Sequence, residues 1–238
     1  MKTGTQNFGH TSNSVWADNP ILVQLLGLSP LLASSTSAIT GTSLGLITAI
    51  VCLAATSIHV QLQNQIQAKW RFVWYLFLTS VLTSLIDISL KLKLLALHRE
   101  LGIYLPLVAS NFVILMHLEK VNIGLQKPTK EFSLKASCDY CIGIVVAMVI
   151  FSCIREIIGY GTLFHDWGLI TPAQALTSVP AISRTKLLGF SLSQPGAYML
   201  LGFFLAFVQF VRLKIRSKEN IRKEEIVKVT RIRVTEKI

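Results

Sequence analysis

Charge is what this chain has least of. Only 15% of its 238 residues are charged, and just 12 are acidic. Soluble domains carry roughly 25% charged residues, so a freely soluble globular fold is excluded. Between Asp18 and Lys69 there is no Asp, Glu, Lys or Arg at all. That interval holds about fifty residues, room for two membrane spans of roughly 20 each. Cysteine is also scarce: Cys52, Cys138, Cys141 and Cys153 lie in or beside apolar runs, which excludes an extracellular disulfide framework. No Walker loop, G-x-G-x-x-G turn or nucleophile elbow is present, so nucleotide-binding and hydrolase signatures are missing. Residues 1–19 are polar and do not form a basic leader running into a cleavable core, so the first apolar run is expected to stay in the mature protein.

What is present is hydrophobic: 52% of residues, with a mean hydropathy of +0.56. The net charge of +11 invites a nucleic-acid reading. However, 10 of the 23 Lys and Arg follow Phe210, in a tail after an apolar run, without interleaved aromatics. This distribution fits the positive-inside rule, and no nucleic-acid partner is expected.

The predicted fold is an all-α polytopic membrane protein with six transmembrane helices. The expected spans are 21–38 (broken by Pro30), 42–59, 72–90, 101–118 (containing Pro106), 140–158 and 195–211. Residues 1–19 form a cytoplasmic segment, 20–211 the membrane domain, and 212–238 a basic cytoplasmic tail. Placing both termini in the cytoplasm leaves 17 basic residues inside and five outside (Lys91, Lys93, Arg99, Arg184, Lys186), with Arg155 in a span.

A short phrase occurs twice. Ser29-Pro30-Leu31-Leu32-Ala33-Ser34-Ser35 is echoed by Leu105-Pro106-Leu107-Val108-Ala109-Ser110-Asn111. A proline within a span removes a hydrogen bond and clashes with the preceding turn. Such breaks survive in lipid only where protein or a polar cavity takes up the freed groups. With three spans in each half, about 20–98 and 99–211, the second half is inserted upside down relative to the first. This is a 3+3 inverted repeat with helices 1 and 4 broken near a midplane site.

Among ionisable residues, Asp87 in the third span is the first candidate. A carboxylate at a helix centre costs about 2.5–3.5 kcal/mol on insertion scales and usually has a role or a partner. The alternative is a hydrated interface position paired with Lys91 at i+4. Arg155 and Glu156 are sequence neighbours that cannot face one another, and their place near a span end favours the interface. Glu119 and His117 read as a solvated rim. Cys138-x-x-Cys141 has redox or metal spacing, but small hydrophobes at a helix start are the commoner outcome.

The run Asn19-Pro20-Ile21-Leu22-Val23-Gln24-Leu25-Leu26-Gly27-Leu28-Ser29-Pro30-Leu31-Leu32-Ala33 resembles the first membrane segment of RnfE (RsxE), a component of the Rnf (Rsx) ion-translocating electron-transport complex. It is also similar to NqrD, the corresponding component of the sodium-pumping NADH:quinone reductase. Leu101-Gly102-Ile103-Tyr104-Leu105-Pro106-Leu107, Arg155-Glu156-Ile157-Ile158-Gly159-Tyr160-Gly161-Thr162-Leu163-Phe164 and Pro195-Gly196-Ala197-Tyr198 match in the same order. The resemblance implies an inner-membrane component of the NqrDE/RnfAE family in a complex coupling electron transfer to ion translocation. Its partners would be the other Rnf subunits, above all the homologous, oppositely inserted RnfA, and the lipid bilayer. It further implies an iron–sulfur cluster shared by that pair, with one cysteine from each broken helix. Those two positions are Ser29 and Phe112 here, and Met116 and His117 replace the glycine and arginine usual after the second ligand. Asp87 falls where the reductase relatives carry an acid. Asp87 and Glu119, with Arg155 and Glu156, are the expected polar ion-path or partner-contact residues. The alternative is a non-redox scaffold that kept the fold.

Overall fold

The computed structural model describes residues 27–62, 65–124, 130–163, 179–180, 193–211 and 213–214. The expected segment 1–19, the expected tail 212–238 apart from residues 213–214, the start of the first span and most of the connector after residue 163 lie outside the described residues.

Eight α-helices follow in order among the described residues: α1 (Leu28–Ser34), α2 (Ala38–Leu62), α3 (Arg71–Lys93), α4 (Leu95–Leu101), α5 (Tyr104–Leu107), α6 (Phe112–Gly124), α7 (Lys130–Tyr160) and α8 (Gln194–Val211). Two 3-10 turns, Ala68–Trp70 and Val108–Ser110, precede α3 and follow α5. The strands β1 (Thr162–Leu163) and β2 (Val179–Pro180) pair antiparallel, with Thr162 opposite Pro180. The chain divides into two compact units, one ending at Tyr198 and the other beginning at Met199.

Four helical stretches are long and apolar enough to cross a membrane: Ala38–Leu62, Ala68–Lys93, Leu134–Tyr160 and Gln194–Val211. These correspond to the second, third, fifth and sixth expected spans. Leu95–Leu101 and Tyr104–Asn122 meet at 67° and together make a bent fifth candidate. The 23 residues of α3 run about 35 Å at 1.5 Å each, enough for the ~30 Å hydrocarbon core. Helix α7 begins ten residues before its expected start at Tyr140, since Lys130, Glu131 and Lys135 are good helix formers and a helix need not stop where lipid does.

In the first unit, α2 is the most buried span and packs along α7. The reason is small residues. A Cβ on Gly41 would overlap Ser152 Oγ, and one on Gly45 would lie 3.3 Å from Met148 Sδ. Without a hydrophobic force between helices in lipid, such small-xxx-small spacing brings backbones close enough for dispersion contacts to hold them. Leu44, Val51, Cys52 and Ala55 of α2 and Ile144, Ala147 and Phe151 of α7 complete this buried core.

The prolines do not interrupt the helices in mid-course. Pro30 is the third residue of α1 and Pro106 the third of α5. First-turn N–H groups lack intrahelical partners, so a proline there forfeits nothing. The interruptions fall on either side. Gly27, at φ 68°, precedes α1, and Gly102, at φ 45°, ends α4. Both use the left-handed region that glycine enters without strain. After the prolines, α1 gives way to Ser35–Ser37, and the turn following α5 ends at Asn111.

Candidate functional site: two helix interruptions and the charges that hold them

Helix α1 ends and α2 begins within three residues, which places a carbonyl-rich C-terminus beside an N–H-rich N-terminus. Ser34, Ser35 and Ser37 are buried, so these groups are closed off from solvent. The sequence supplies partners locally. The Thr40 N–H donates to Ser37 Oγ at 3.3 Å, and the Ser37 N–H donates to Thr40 Oγ1 at 3.3 Å, a reciprocal capping box. Thr40 Oγ1 also donates to the Ser34 carbonyl at 2.7 Å.

The rest comes from α7. The Arg155 guanidinium donates to the Leu32 carbonyl at 2.7 Å and to Ser35 Oγ at 2.8 Å. The Ala38 N–H, first in α2, donates to Glu156 Oε2 at 2.5 Å. Arg155 is 1% exposed and Glu156 0%. The interface expected for this pair from sequence is therefore corrected: both are interior. The physical logic is polarity. A helix C-terminus carries partial negative charge and an N-terminus partial positive charge. Arg155 meets the first and Glu156 the second. As adjacent helical residues they point in directions about 100° apart, and the two ends of the interruption lie in those two directions.

The second interruption is held by neutral groups. Asn111 Oδ1 accepts the Val113 N–H at 3.1 Å as an N-cap of α6, and the Asn111 carbonyl accepts the Ile114 N–H at 3.0 Å. Thr79 of α3 donates to the Ala109 carbonyl at 2.7 Å. Tyr140 of α7 donates to the Val113 carbonyl at 3.0 Å, while its ring stacks on His117 at 4.2 Å. His117 Nε2 pairs with Ser137 Oγ at 2.8 Å, so His117 is interior and not a solvated rim. The two interruptions touch: a Cβ on Gly27 would collide with Val113 and lie 3.0 Å from Asn111 Oδ1.

Ser29 in α1 and Phe112 at the start of α6 are both exposed, Phe112 by 59%. Neither is a thiolate donor, and a phenyl ring has no lone pair to give. Cys52 and Cys141 are buried where α2 meets α7, with Cys141 donating to the Ala49 carbonyl at 3.6 Å. Cys138 is exposed and Cys153 half-buried, both on α7. No cysteine stands in either interruption, and no group of three metal-ligating side chains exists among the described residues. Of the four thiolates of an iron–sulfur cluster shared with a partner, this chain would supply two, and Ser29 and Phe112 at those positions do not fit that role.

Asp87 lies on α3, one turn from its partner Lys91, whose Nζ is 2.7 Å from Oδ2. The other carboxylate oxygen is 2.7 Å from His98 Nε2 on α4. Asp87 therefore ties α4 back onto α3 across the Leu94 corner. Sequence reading found Lys91 and missed His98, which an apolar corner separates from it. Glu119 is half-buried near the end of α6.

These features define a multi-pass helical membrane protein whose helices are interrupted inside the bundle and capped there by buried side chains. The family model described as Rnf-Nqr subunit, membrane protein, matches residues 8–205, and the chain belongs to that family. It is similar to the E subunit of the ion-translocating oxidoreductase complex of Vibrio atlanticus (strain LGP32), 30% identical over 92% of this chain and 95% of that one. The protein of the same description from Edwardsiella ictaluri (strain 93-146) is 30% identical over 88% of each chain. That from Pseudomonas aeruginosa (strain LESB58) is 28% identical over 93% of this chain and 92% of its own.

Proposed function

We propose that the chain is the RnfE-type membrane component of a complex that couples electron transfer to ion translocation across the inner membrane, with both termini cytoplasmic. The observation that carries this reading is likeness along nearly the whole length to chains described as the E subunit of an ion-translocating oxidoreductase complex. The charge asymmetry supports the orientation. The like conformations of the two proline phrases support a 3+3 inverted repeat, each half contributing one interrupted helix. In this reading the homologous, oppositely inserted RnfA is the principal partner, and the other members of the complex complete the assembly. Asp87 and Glu119 serve the ion path. Arg155 and Glu156 hold the first interruption in shape for it. The experiment is affinity purification of the tagged chain from membranes: the reading expects the other components in fixed proportion, and recovery of the chain alone overturns it.

A second reading is favoured by one observation, the Ser29 and Phe112 pair. Here the chain keeps the fold and the assembly but not the electron path. Iron analysis and EPR of the reduced chain, purified together with RnfA, separate the two readings. A stoichiometric cluster sinks the scaffold reading, and an intact pair without iron supports it.

A further inference from the structure

Helix α3 buries three polar side chains, although Ser80, Ser84 and Ser89 are exposed on it among apolar neighbours. Phe72, Val73, Phe77, Val81, Leu85 and Ile88 are exposed, while its buried residues are Tyr75, Leu78, Thr79 and Thr83. Tyr75, Thr79, Thr83 and Asp87 recur every four residues, so they form a stripe that climbs α3 and drifts about 40° around it at each step. From Tyr75 to Asp87 the stripe rises about 18 Å, over half the ~30 Å hydrocarbon core.

A buried hydroxyl normally finds a partner. Thr83 Oγ1 has no hydrogen-bond partner among the described residues, and neither does either ring nitrogen of His59, whose imidazole meets the ring of buried Tyr75 edge-to-face at 5.0 Å. All three side chains are 3% exposed or less. Between them, Thr79 reaches the Ala109 carbonyl at the second helix interruption. Each end of the row is charged. At one end Glu119 of α6 and Arg71 of α3 bear on His59 and Tyr75. At the other, Asp87 is held by Lys91 and His98.

Unpartnered polar atoms cost about 1–3 kcal/mol each when buried, and such groups in native proteins are satisfied by ordered water or an ion. In membranes, polar side chains facing the bundle interior mark ion and proton pathways, and carbonyls freed at helix interruptions supply cation ligands. We infer that the buried face of α3 lines an oxygen-rich path for a small monovalent cation, a proton or a sodium ion. It runs from His59 and Glu119 through Tyr75, Thr79 with the Ala109 carbonyl, and Thr83 to Asp87. This deepens the ion-translocation reading, on which it rests, and names the face that serves it.

The test has two readouts. In the full chain, Thr83→Cys is exposed to Ag⁺ under native conditions, and protection of the introduced thiol from later alkylation is read by peptide mass spectrometry. Leu78→Cys, equally buried but off the row, is the control. The path predicts protection at position 83 and none at 78; protection at both or at neither overturns it. This readout stands whether or not the assembled complex moves ions. In the complex, Thr83→Val and Tyr75→Phe keep shape and remove only the hydroxyl. Each is expected to lower ion uptake per electron transferred at least five-fold, with electron transfer within two-fold of the parent. Dye-reported proton uptake and ²²Na⁺ uptake tell the two cations apart. An unchanged ratio in both variants overturns the path, and if the parent complex moves no ion, that failure belongs to the ion-translocation reading and the Ag⁺ result decides the path.

Discussion

Replacing Glu156 by Ala removes the acceptor of the Ala38 N–H from a site closed to water. The orphaned N–H costs about 1–3 kcal/mol, the upper part of the range for losing a helix cap. One effect opposes it: deleting a buried charge recovers part of its desolvation penalty. A net destabilisation of about 1–3 kcal/mol follows, or about 2–12 °C at 2–4 °C per kcal/mol for a chain of this size. Glu156→Gln keeps an oxygen acceptor and discards the charge, so its loss is about half as large. Thermal unfolding of the purified chain in detergent, followed by dye labelling of buried Cys52 and Cys141, reads both. The order parent, Gln, Ala is expected. An Ala variant melting within 2 °C of the parent would refute the claim that Glu156 caps α2.

Further outcomes follow from the same contacts. Arg155→Lys keeps the charge but not the planar guanidinium, whose Nη1 reaches the Leu32 carbonyl and Ser35 while Nη2 reaches the Ser193 carbonyl, and is expected to lower the melting temperature less than Arg155→Met. Gly41→Ala places a methyl against Ser152 Oγ and should destabilise by about 1–3 kcal/mol; Ser152→Gly in the same chain should restore most of the loss, as melting curves would show. Asp87→Asn releases His98 and Lys91, and because the pairs are partly exposed it should cost about 0–1 kcal/mol in stability. If ion uptake by the assembled complex is nevertheless unchanged, Asp87 is a fastener of α4 and not part of the path.

The spans were legible because lipid imposes a composition that sequence cannot disguise. Four of six expected spans reappear within a few residues at their helix ends, apart from the early start of α7. The interruptions were legible as places but not as mechanisms. Proline marked both neighbourhoods, yet the breaks are made by Gly27, Ser35–Ser37, Gly102 and Asn111, with each proline in the first turn of a new helix. The capping box Ser37-x-x-Thr40 and the small-xxx-small pair Gly41 and Gly45 were available signals that the hydropathy pattern hid. Arg155 and Glu156 could not be placed from sequence, because their partners lie more than a hundred residues away and are mostly backbone groups, which leave no trace in residue type. The hydroxyl row on α3 was obscured differently. Its period of four is hidden among the other hydroxyls of α3, Ser80, Ser84 and Ser89, which the structure leaves exposed.

The proposed function makes this chain a working part of an electron-driven ion pump. The most direct measurement is donor-driven ion uptake by inverted membrane vesicles from cells with and without the chain. Uptake is expected to vanish in its absence and to return with the parent sequence but not with Thr83→Val. Uptake that persists undiminished without the chain would contradict it.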